Sequence, residues 1–170
     1  MRNVRLMLTV LLLAFSTRAL PQAQWVPFSE AKGGFKAMFP GKPTQTSNAP
    51  ATFVLATASG IYVISYTDGH DGGDWAQIQN AERDSTITGL NGKVSQEKEI
   101  SLPGYRGKSY TFNGNLPSGA ITGPISGELR LYFNGHRFYM VMAVVPQGPK
   151  SDAVAKFLDS FQLLPSSKPH

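Results

Sequence analysis

Apolar and polar residues alternate through most of the chain, which predicts a series of short β-strands. Phe35, Ala37 and Phe39 share one face of a segment bounded by glycines and prolines. Residues 51–68 are predicted to form two strands with a turn near Ser59-Gly60. Both faces of that hairpin are apolar, so we expect it to be covered on both sides. Three further strand regions are predicted in KVSQEKEISL, YRGKSYTFNG and LRLYFNGHRFYMVMAVV, the last forming two strands.

Two segments show helical spacing instead. After Asp74, a plausible N-cap, Trp75, Ile78 and Ala81 recur at helical intervals, which predicts a surface helix. The segment SDAVAKFLDSFQLL predicts a second helix followed by a short final strand. Its apolar stripe has the spacing i, i+3, i+4, i+7 and consists of Val154, Phe157, Leu158 and Phe161. Residues 113–127 are rich in Gly, Pro and Ser and are predicted to form the longest irregular connection.

The order of elements predicts an α+β fold. Strands joined by hairpins favour an antiparallel sheet, and strands with two apolar faces favour helices on both sides of it. We therefore expect a central antiparallel sheet of about six strands with helices packed on both faces. Residues 25–165 are expected to form this single domain, and residues 166–170 a tail.

Residues 1–23 have the pattern of a secretory signal peptide. A basic start precedes the ten-residue apolar run LMLTVLLLAF, and small residues and a proline follow. Cleavage is expected after Ser16, Ala19 or Ala23, with an uncleaved anchor as the alternative. The run is shorter than the roughly 20 residues that span a bilayer. The sequence thus predicts a periplasmic or secreted protein with no stable membrane span after cleavage.

Charge and cysteine content narrow the possible functions. The chain carries 16 basic against 11 acidic residues, a net charge of +5. If cleavage follows Ala19 or Ala23, Arg2, Arg5 and Arg18 leave, and 13 basic residues face 11 acidic ones, or +2. The basic residues form no cluster of the kind that binds nucleic acid, so no nucleic-acid partner is expected. The chain has no cysteine, which excludes disulfides, thiol chemistry and cysteine-based zinc sites.

Several stretches together resemble the exported bacterial PsbP-like proteins. They are a W-x-x-F ahead of GGFKAMFPGKP, then IYVISYTD, LRLYFNGHRFYMVMAVVP and AKFLDSF. The resemblance runs from about Trp25 to Leu164 and implies the PsbP-like sandwich. The bacterial relatives are largely without a known activity. PsbP itself is an extrinsic subunit of photosystem II, which implies calcium and chloride handling, but no residue here transfers that role.

The acidic stretch TDGHDGGD is the best metal candidate. Asp68, His70, Asp71 and Asp74 could offer ligands to a hard cation such as calcium. Their spacing does not match the EF-hand pattern. A strand-to-helix loop with Asp74 as cap accounts for the same residues, so no metal and no cofactor is expected.

No enzyme motif is present in the sequence. His70, His136 and His170 are the only histidines, and no nucleophile-elbow motif accompanies them. Glu97 and Glu99 share the face of one strand and are expected to be solvated. The stretch GNLPSGAITGPISG matches no phosphate-binding loop, and it could instead be a mobile loop over a pocket. A hydrolase or metal-assisted enzyme with an unrecognised site, and a carrier of small hydrophobic ligands, remain alternative hypotheses.

The hairpin at residues 129–145 offers the best binding candidates. A type I′ turn at Asn134-Gly135 would place two arginine–tyrosine pairs opposite each other, on the face away from the Phe- and Met-rich core face. These pairs could present cations and aromatic edges to an anionic or aromatic partner. The candidate binding residues are Arg130, Tyr132, Arg137 and Tyr139. The predicted function is an exported, non-catalytic binding or accessory module of the cell envelope, acting on an unknown envelope protein or small ligand.

Overall fold

A computed structural model describes residues 24–69, 73–148 and 152–165. The fold is mostly β, with two helices among the described residues. The elements are β1 (Val26–Glu30), β2 (Phe35–Phe39), β3 (Thr44–Asn48), β4 (Ala51–Thr57), β5 (Gly60–Thr67), α1 (Trp75–Gly89), β6 (Lys93–Leu102), β7 (Tyr105–Leu116), β8 (Gly123–Phe133), β9 (Phe138–Pro146), α2 (Ala153–Asp159) and β10 (Gln162–Leu163).

Seven strands form one antiparallel sheet in the order β3-β4-β5-β9-β8-β7-β6. The β4–β5 hairpin pairs Phe53 with Ile64 and Val54 with Val63, so each of its faces carries apolar residues from both strands, as predicted. β5 then pairs with β9, a strand that lies far along the chain. This pairing joins the two halves of the sheet.

A second, smaller sheet covers one face of the large one. It has the order β1-β2-β10, and Phe35, Ala37 and Phe39 of β2 are buried beneath it. α2 shares this face, and its Phe157 packs edge-on against Phe39 at a ring-centroid distance of 4.9 Å. The chain buries both faces of the large sheet because each predicted two-sided strand finds apolar partners on both sides.

α1 covers the opposite face. Asp74 caps the helix as predicted, since its side chain accepts the Ala76 N–H at 2.9 Å. The Trp75 ring stacks on Phe133 with centroids 5.4 Å apart, and Ile87 is buried at the other end of the helix. Gln79 is also buried and donates a hydrogen bond to the Tyr110 hydroxyl.

The structure corrects the expected sandwich in two respects. The sheet has seven strands rather than about six, and one of its faces is covered by a second sheet together with α2, so the fold is richer in strand than predicted. Residues 113–127 are also mostly ordered, because β7 runs to Leu116 and β8 starts at Gly123. β8 needs a glycine at position 127, because a Cβ there would lie 2.4 Å from the Ala143 carbonyl oxygen.

The β8–β9 hairpin has a different register from the predicted one. Phe133 pairs with Phe138 and Tyr132 with Tyr139, so the turn lies one residue later than Asn134-Gly135. Asn134 Oδ1 accepts the backbone N–H groups of His136 at 3.0 Å and Arg137 at 2.7 Å. This side-chain turn replaces the type I′ turn. The slip moves the pairing by an even number of residues, so the two faces of the hairpin are those predicted.

Some sequence predictions fall outside the described residues. They are the signal peptide with its cleavage sites at Ser16, Ala19 and Ala23, the loop residues His70 and Asp71, and the tail with His170. Within the described ranges, no helix has the length and apolar character needed to cross a membrane.

Candidate functional site

Arg137 is held by three hydrogen bonds at one end of the large sheet. Its Nε lies 2.5 Å from Asp68 Oδ1 and its Nη2 lies 2.7 Å from Asp68 Oδ2, a two-pronged ion pair with the residue that follows β5. Its Nη1 donates to the Gly33 carbonyl in the β1–β2 turn at 2.9 Å. One guanidinium therefore joins the hairpin turn to both sheets.

Tyrosine rings surround this guanidinium. Arg137 Cζ lies 5.1 Å from the ring centroid of Tyr66 and 5.9 Å from that of Tyr139, within cation–π range. The buried Tyr139 hydroxyl donates to the same Gly33 carbonyl. The Tyr105 ring lies 5.3 Å from the Tyr139 ring, centroid to centroid. The candidate site is thus a cation enclosed by aromatic rings and hydroxyls.

The contacts of the cluster set its protonation states. The hydrogen bond from Arg137 lowers the pKa of Asp68, and the same contact raises the pKa of Arg137. Burial, followed by the proximity of Tyr139, raises the pKa of Tyr105 to about 12. At neutral pH the site therefore carries a compensated ion pair together with the neutral phenols of Tyr66 and Tyr105, whose pKa values burial raises.

An open cleft of about 760 Å³ lies beside this cluster. We call it the turn-end cleft. Its walls come from the β1–β2 turn, from Pro103 and Tyr105 at the β6–β7 turn, from Arg137 and Tyr139, and from residues 163–165. Because four separate segments meet here, the shape of the cleft depends on the complete fold.

Arg130 and Tyr132 lie away from this cluster. Arg130 Nε is 2.7 Å from Glu128 Oε1, and its Nη2 is 2.8 Å from Asp159 Oδ1 of α2. The Tyr132 ring is buried and stacks on Phe161 at 6.0 Å. Both residues line a second cleft of about 480 Å³, the β6 cleft, whose other walls include Lys98, Ile100 and Leu102.

The four candidate binding residues are thus divided between two places. Arg137 and Tyr139 belong to the turn-end cleft, and Arg130 and Tyr132 to the β6 cleft. The expected arginine–tyrosine cross-strand pairs do not form, because Tyr132 pairs with Tyr139 and Arg130 with Val141. The two tyrosine rings are buried under the small sheet, a layer that the hairpin pattern alone does not reveal.

The acidic loop serves structural contacts where it is described. Asp68 binds Arg137 and Asp74 caps α1, while His70 and Asp71 lie outside the described residues. Over residues 24–69, 73–148 and 152–165, no group of three or more His, Asp or Glu side chains is placed to hold a metal ion.

Comparisons with known proteins identify the fold. No family model matches the chain, and no curated protein matches it significantly. The solution structure of cyanobacterial PsbP (CyanoP) from Synechocystis superposes with a TM-score of 0.60 at 8% identity, over 83% of this chain and 93% of that one. The fold is PsbP-like. A crystal structure from Bacteroides thetaiotaomicron superposes with a TM-score of 0.54 at 12% identity, over 85% of this chain and 50% of that one. This chain spans about half the length of the Bacteroides protein.

At these identities the similarity to PsbP shows the fold and leaves the site to be argued from its own residues. The sequence did not predict two members of the cluster around Arg137, namely Tyr66 and Tyr105. Both stand next to turns or strand ends: Tyr66 is the penultimate residue of β5, and Tyr105 follows Pro103-Gly104. In an antiparallel sheet, the end of one strand and the start of the next lie at the same end of the sheet. This relation is the signal that could have grouped both tyrosines with Arg137.

Proposed function

We propose that this protein is an exported, non-catalytic binding or accessory module of the cell envelope and that it binds its partner in the turn-end cleft. The observation that carries the proposal is the preorganised wall of that cleft. Asp68 and Gly33 already order the Arg137 side chain. A ligand that binds in the cleft therefore loses less conformational entropy than it would at an unordered surface.

The character of the wall favours recognition over chemistry. The Tyr105 phenol is neutral at pH 7 and the Arg137 cation is compensated by Asp68, so the wall offers aromatic surface and hydroxyl hydrogen bonds. A volume of about 760 Å³ falls in the size range of sites for small molecules or short peptide segments. Export is supported by the signal-peptide pattern of residues 1–23.

Site-specific photo-crosslinking in envelope preparations tests the proposal. A benzophenone amino acid replaces Tyr105, whose aromatic ring it mimics, and a matched variant carries it at Val94 on the same hairpin. Val94 is 39% exposed and lies outside the cleft, so it is the control for accessibility. We expect a defined adduct from position 105 that is absent from position 94. Equal labelling at the two positions, or none at position 105, would contradict a binding role for the cleft.

A further inference from the structure

β10 is an edge strand with one open side. The Leu164 N–H donates to the Gly34 carbonyl at 2.8 Å, and Gln162 pairs with Lys36 of β2. In an antiparallel ladder, alternate residues direct their backbone groups toward the neighbouring strand. Leu163 therefore directs its N–H and C=O away from β2. On β2, Met38 directs its backbone groups to the same side as Lys36. Its N–H is accepted there by Ser160 Oγ at 2.8 Å.

The open side of β10 faces an uncovered part of the large sheet. The small sheet has three strands against seven, and residues of the β6–β7 hairpin line open clefts together with Phe161 and residues 163–165. The β6 cleft and the turn-end cleft adjoin there, because Leu102 lines the first and Pro103 the second. Apolar side chains of this region, including Ile100, Leu102 and Tyr105, are only half-buried.

We propose that β10 receives an extended peptide segment of a partner protein, which adds to the small sheet as a fourth strand. This inference rests on the proposed function and names the partner class of the same region. The peptide residue opposite Leu163 would point toward the large sheet, as Leu163 itself does, and so would the residues two positions before and after it. Those positions should be apolar, since they would cover Ile100, Leu102 and Tyr105.

The backbone groups favour a foreign peptide over a second copy of this chain. Two copies paired through Leu163 would exchange hydrogen bonds only at that residue. Pro165 has no N–H to give, and the Phe161 N–H already donates to the Leu158 carbonyl at 3.3 Å. A foreign strand with N–H groups on both sides of its central residue would also donate to the carbonyls of Phe161 and Pro165, which share the alternation of Leu163.

Charge sets the expected end of the peptide. Lys98 lines the β6 cleft and forms no ion pair with any residue that the structure describes. Beside it, Arg130 and Asp159 compensate each other at 2.8 Å, and Glu99, which also lines the cleft, is paired with Lys108 at 3.3 Å. A strand antiparallel to β10 would bring its C-terminal side to this cleft. The ligand class is therefore an extended segment with alternating apolar residues and a carboxylate near its C-terminal side.

Selection from a displayed library of random peptides of about seven residues, a length suited to strand addition, tests this inference. The bait is the full chain, with Leu163→Pro and Leu163→Ala as matched variants. Both lose the leucine side chain, but only proline removes the outward N–H, and neither change removes a hydrogen bond to β2. We expect alternating sequences with a C-terminal acid. Binding of the best synthetic peptide should weaken at least about tenfold in Leu163→Pro relative to Leu163→Ala. Lys98→Glu should weaken binding of this peptide, whereas the control variant Lys93→Glu should not.

Methylation of the peptide backbone supplies a test that is independent of variant folding. N-methylation of the amide opposite Leu163 should abolish binding, whereas N-methylation of the next amide should not. Equal tolerance at both amides, equal affinity of the two Leu163 variants, or a selection without enriched peptides would overturn strand addition. Self-association of the wild-type chain that Leu163→Pro abolishes would assign the edge to a second copy and contradict the proposal. Peptide binding that needs Tyr105 but not the Leu163 N–H would leave the proposed function standing without strand addition.

Discussion

At the scale of the residue, Arg137 connects the fold with the candidate site. Its side chain is 21% exposed, and its guanidinium binds Asp68 after β5 and Gly33 between β1 and β2. A lysine would keep the charge but could not make the planar two-pronged contact. The same residue therefore stabilises the junction of the two sheets and shapes the turn-end cleft.

The Arg137→Lys variant should lower the free energy of unfolding by about 1–2 kcal/mol, because hydrogen bonds to Asp68 or Gly33 are lost. Arg83→Lys is the control, since among the described residues Arg83 makes its ion pair with the adjacent and mostly exposed Asp84, and its cation–π contact with Tyr110 is one that lysine can also make. That change should stay within about 0.5 kcal/mol. Urea denaturation measures both, and equal losses would show that the Arg137 geometry contributes no special stability.

The Asp68–Arg137 pair should make stability depend on pH. The hydrogen bond from Arg137 lowers the pKa of Asp68 in the folded state, so the pair stabilises the fold at neutral pH. That contribution is lost as the pH falls through the folded-state pKa. The difference in unfolding free energy between wild type and Asp68→Asn should therefore shrink between about pH 5 and about pH 2. A difference that stays constant over this range would contradict the assignment.

At the scale of the element, β8 packs closely against its neighbouring strands at Gly127. Gly127 lies under the neighbouring strand, where an added Cβ would approach the Ala143 carbonyl oxygen to 2.4 Å and the Phe112 ring to 2.7 Å. Gly127→Ala should therefore cost about 1–3 kcal/mol of stability by overpacking. Gly148→Ala is the control, because no atom lies within 4 Å of its added Cβ. Thermal and urea unfolding of the two variants gives the comparison, and similar midpoints would refute the expectation.

Ser160 links α2 to the small sheet. Its Oγ accepts the Met38 N–H at 2.8 Å and donates to the Phe157 carbonyl at 2.6 Å. Ser160→Ala would leave a half-buried N–H without its partner and should lower stability by about 1–2 kcal/mol. Ser29→Ala on the exposed side of β1 should have little effect. Faster exchange of the Met38 amide hydrogen in Ser160→Ala would confirm the cause, and unchanged exchange would argue against it.

The pattern of the sequence predicts elements better than it predicts their partners. The faces of β4 and β5 follow from strict alternation, and Asp74 marks the start of α1 by its capping chemistry. The Asn-Gly sequence predicts a backbone turn centred on Asn134-Gly135. The turn lies one residue later, because the Asn134 side chain accepts backbone hydrogen bonds within it. The sequence does not reveal the length of β8, because its Gly127 suits a close approach between strands that only the folded sheet creates.

The candidate site is less predictable for the same reason. Arg137 and Tyr139 are picked out by their hairpin, but their partners Gly33, Asp68 and Tyr105 come from distant segments. Burial of the Tyr139 ring depends on β1, β2 and β10, and β1 carries no strong strand pattern because of Pro27. Tertiary contacts between segments that share no local pattern decide which side chains remain accessible.

At the scale of the whole molecule, the described domain is stabilised by packing without disulfide bonds, since the chain has no cysteine.

Expression in a bacterium that exports the protein should yield a chain lacking at least the first 16 residues, because cleavage is expected after Ser16, Ala19 or Ala23. Intact-mass measurement of the secreted or periplasmic fraction gives the cleavage point. Retention of Met1 would contradict the signal-peptide prediction.

The pairing of β5 with β9 has a consequence for folding kinetics. It joins two locally connected ladders, β3-β4-β5 and β9-β8-β7-β6, across more of the chain than the hairpin pairings within each ladder span. Closing so long a loop is entropically unfavourable, so we expect each ladder to form before the two join. In stopped-flow measurements, truncation of Ile64 or Val141 at this seam should mainly speed unfolding, whereas truncation of Leu129 within its ladder should also slow folding.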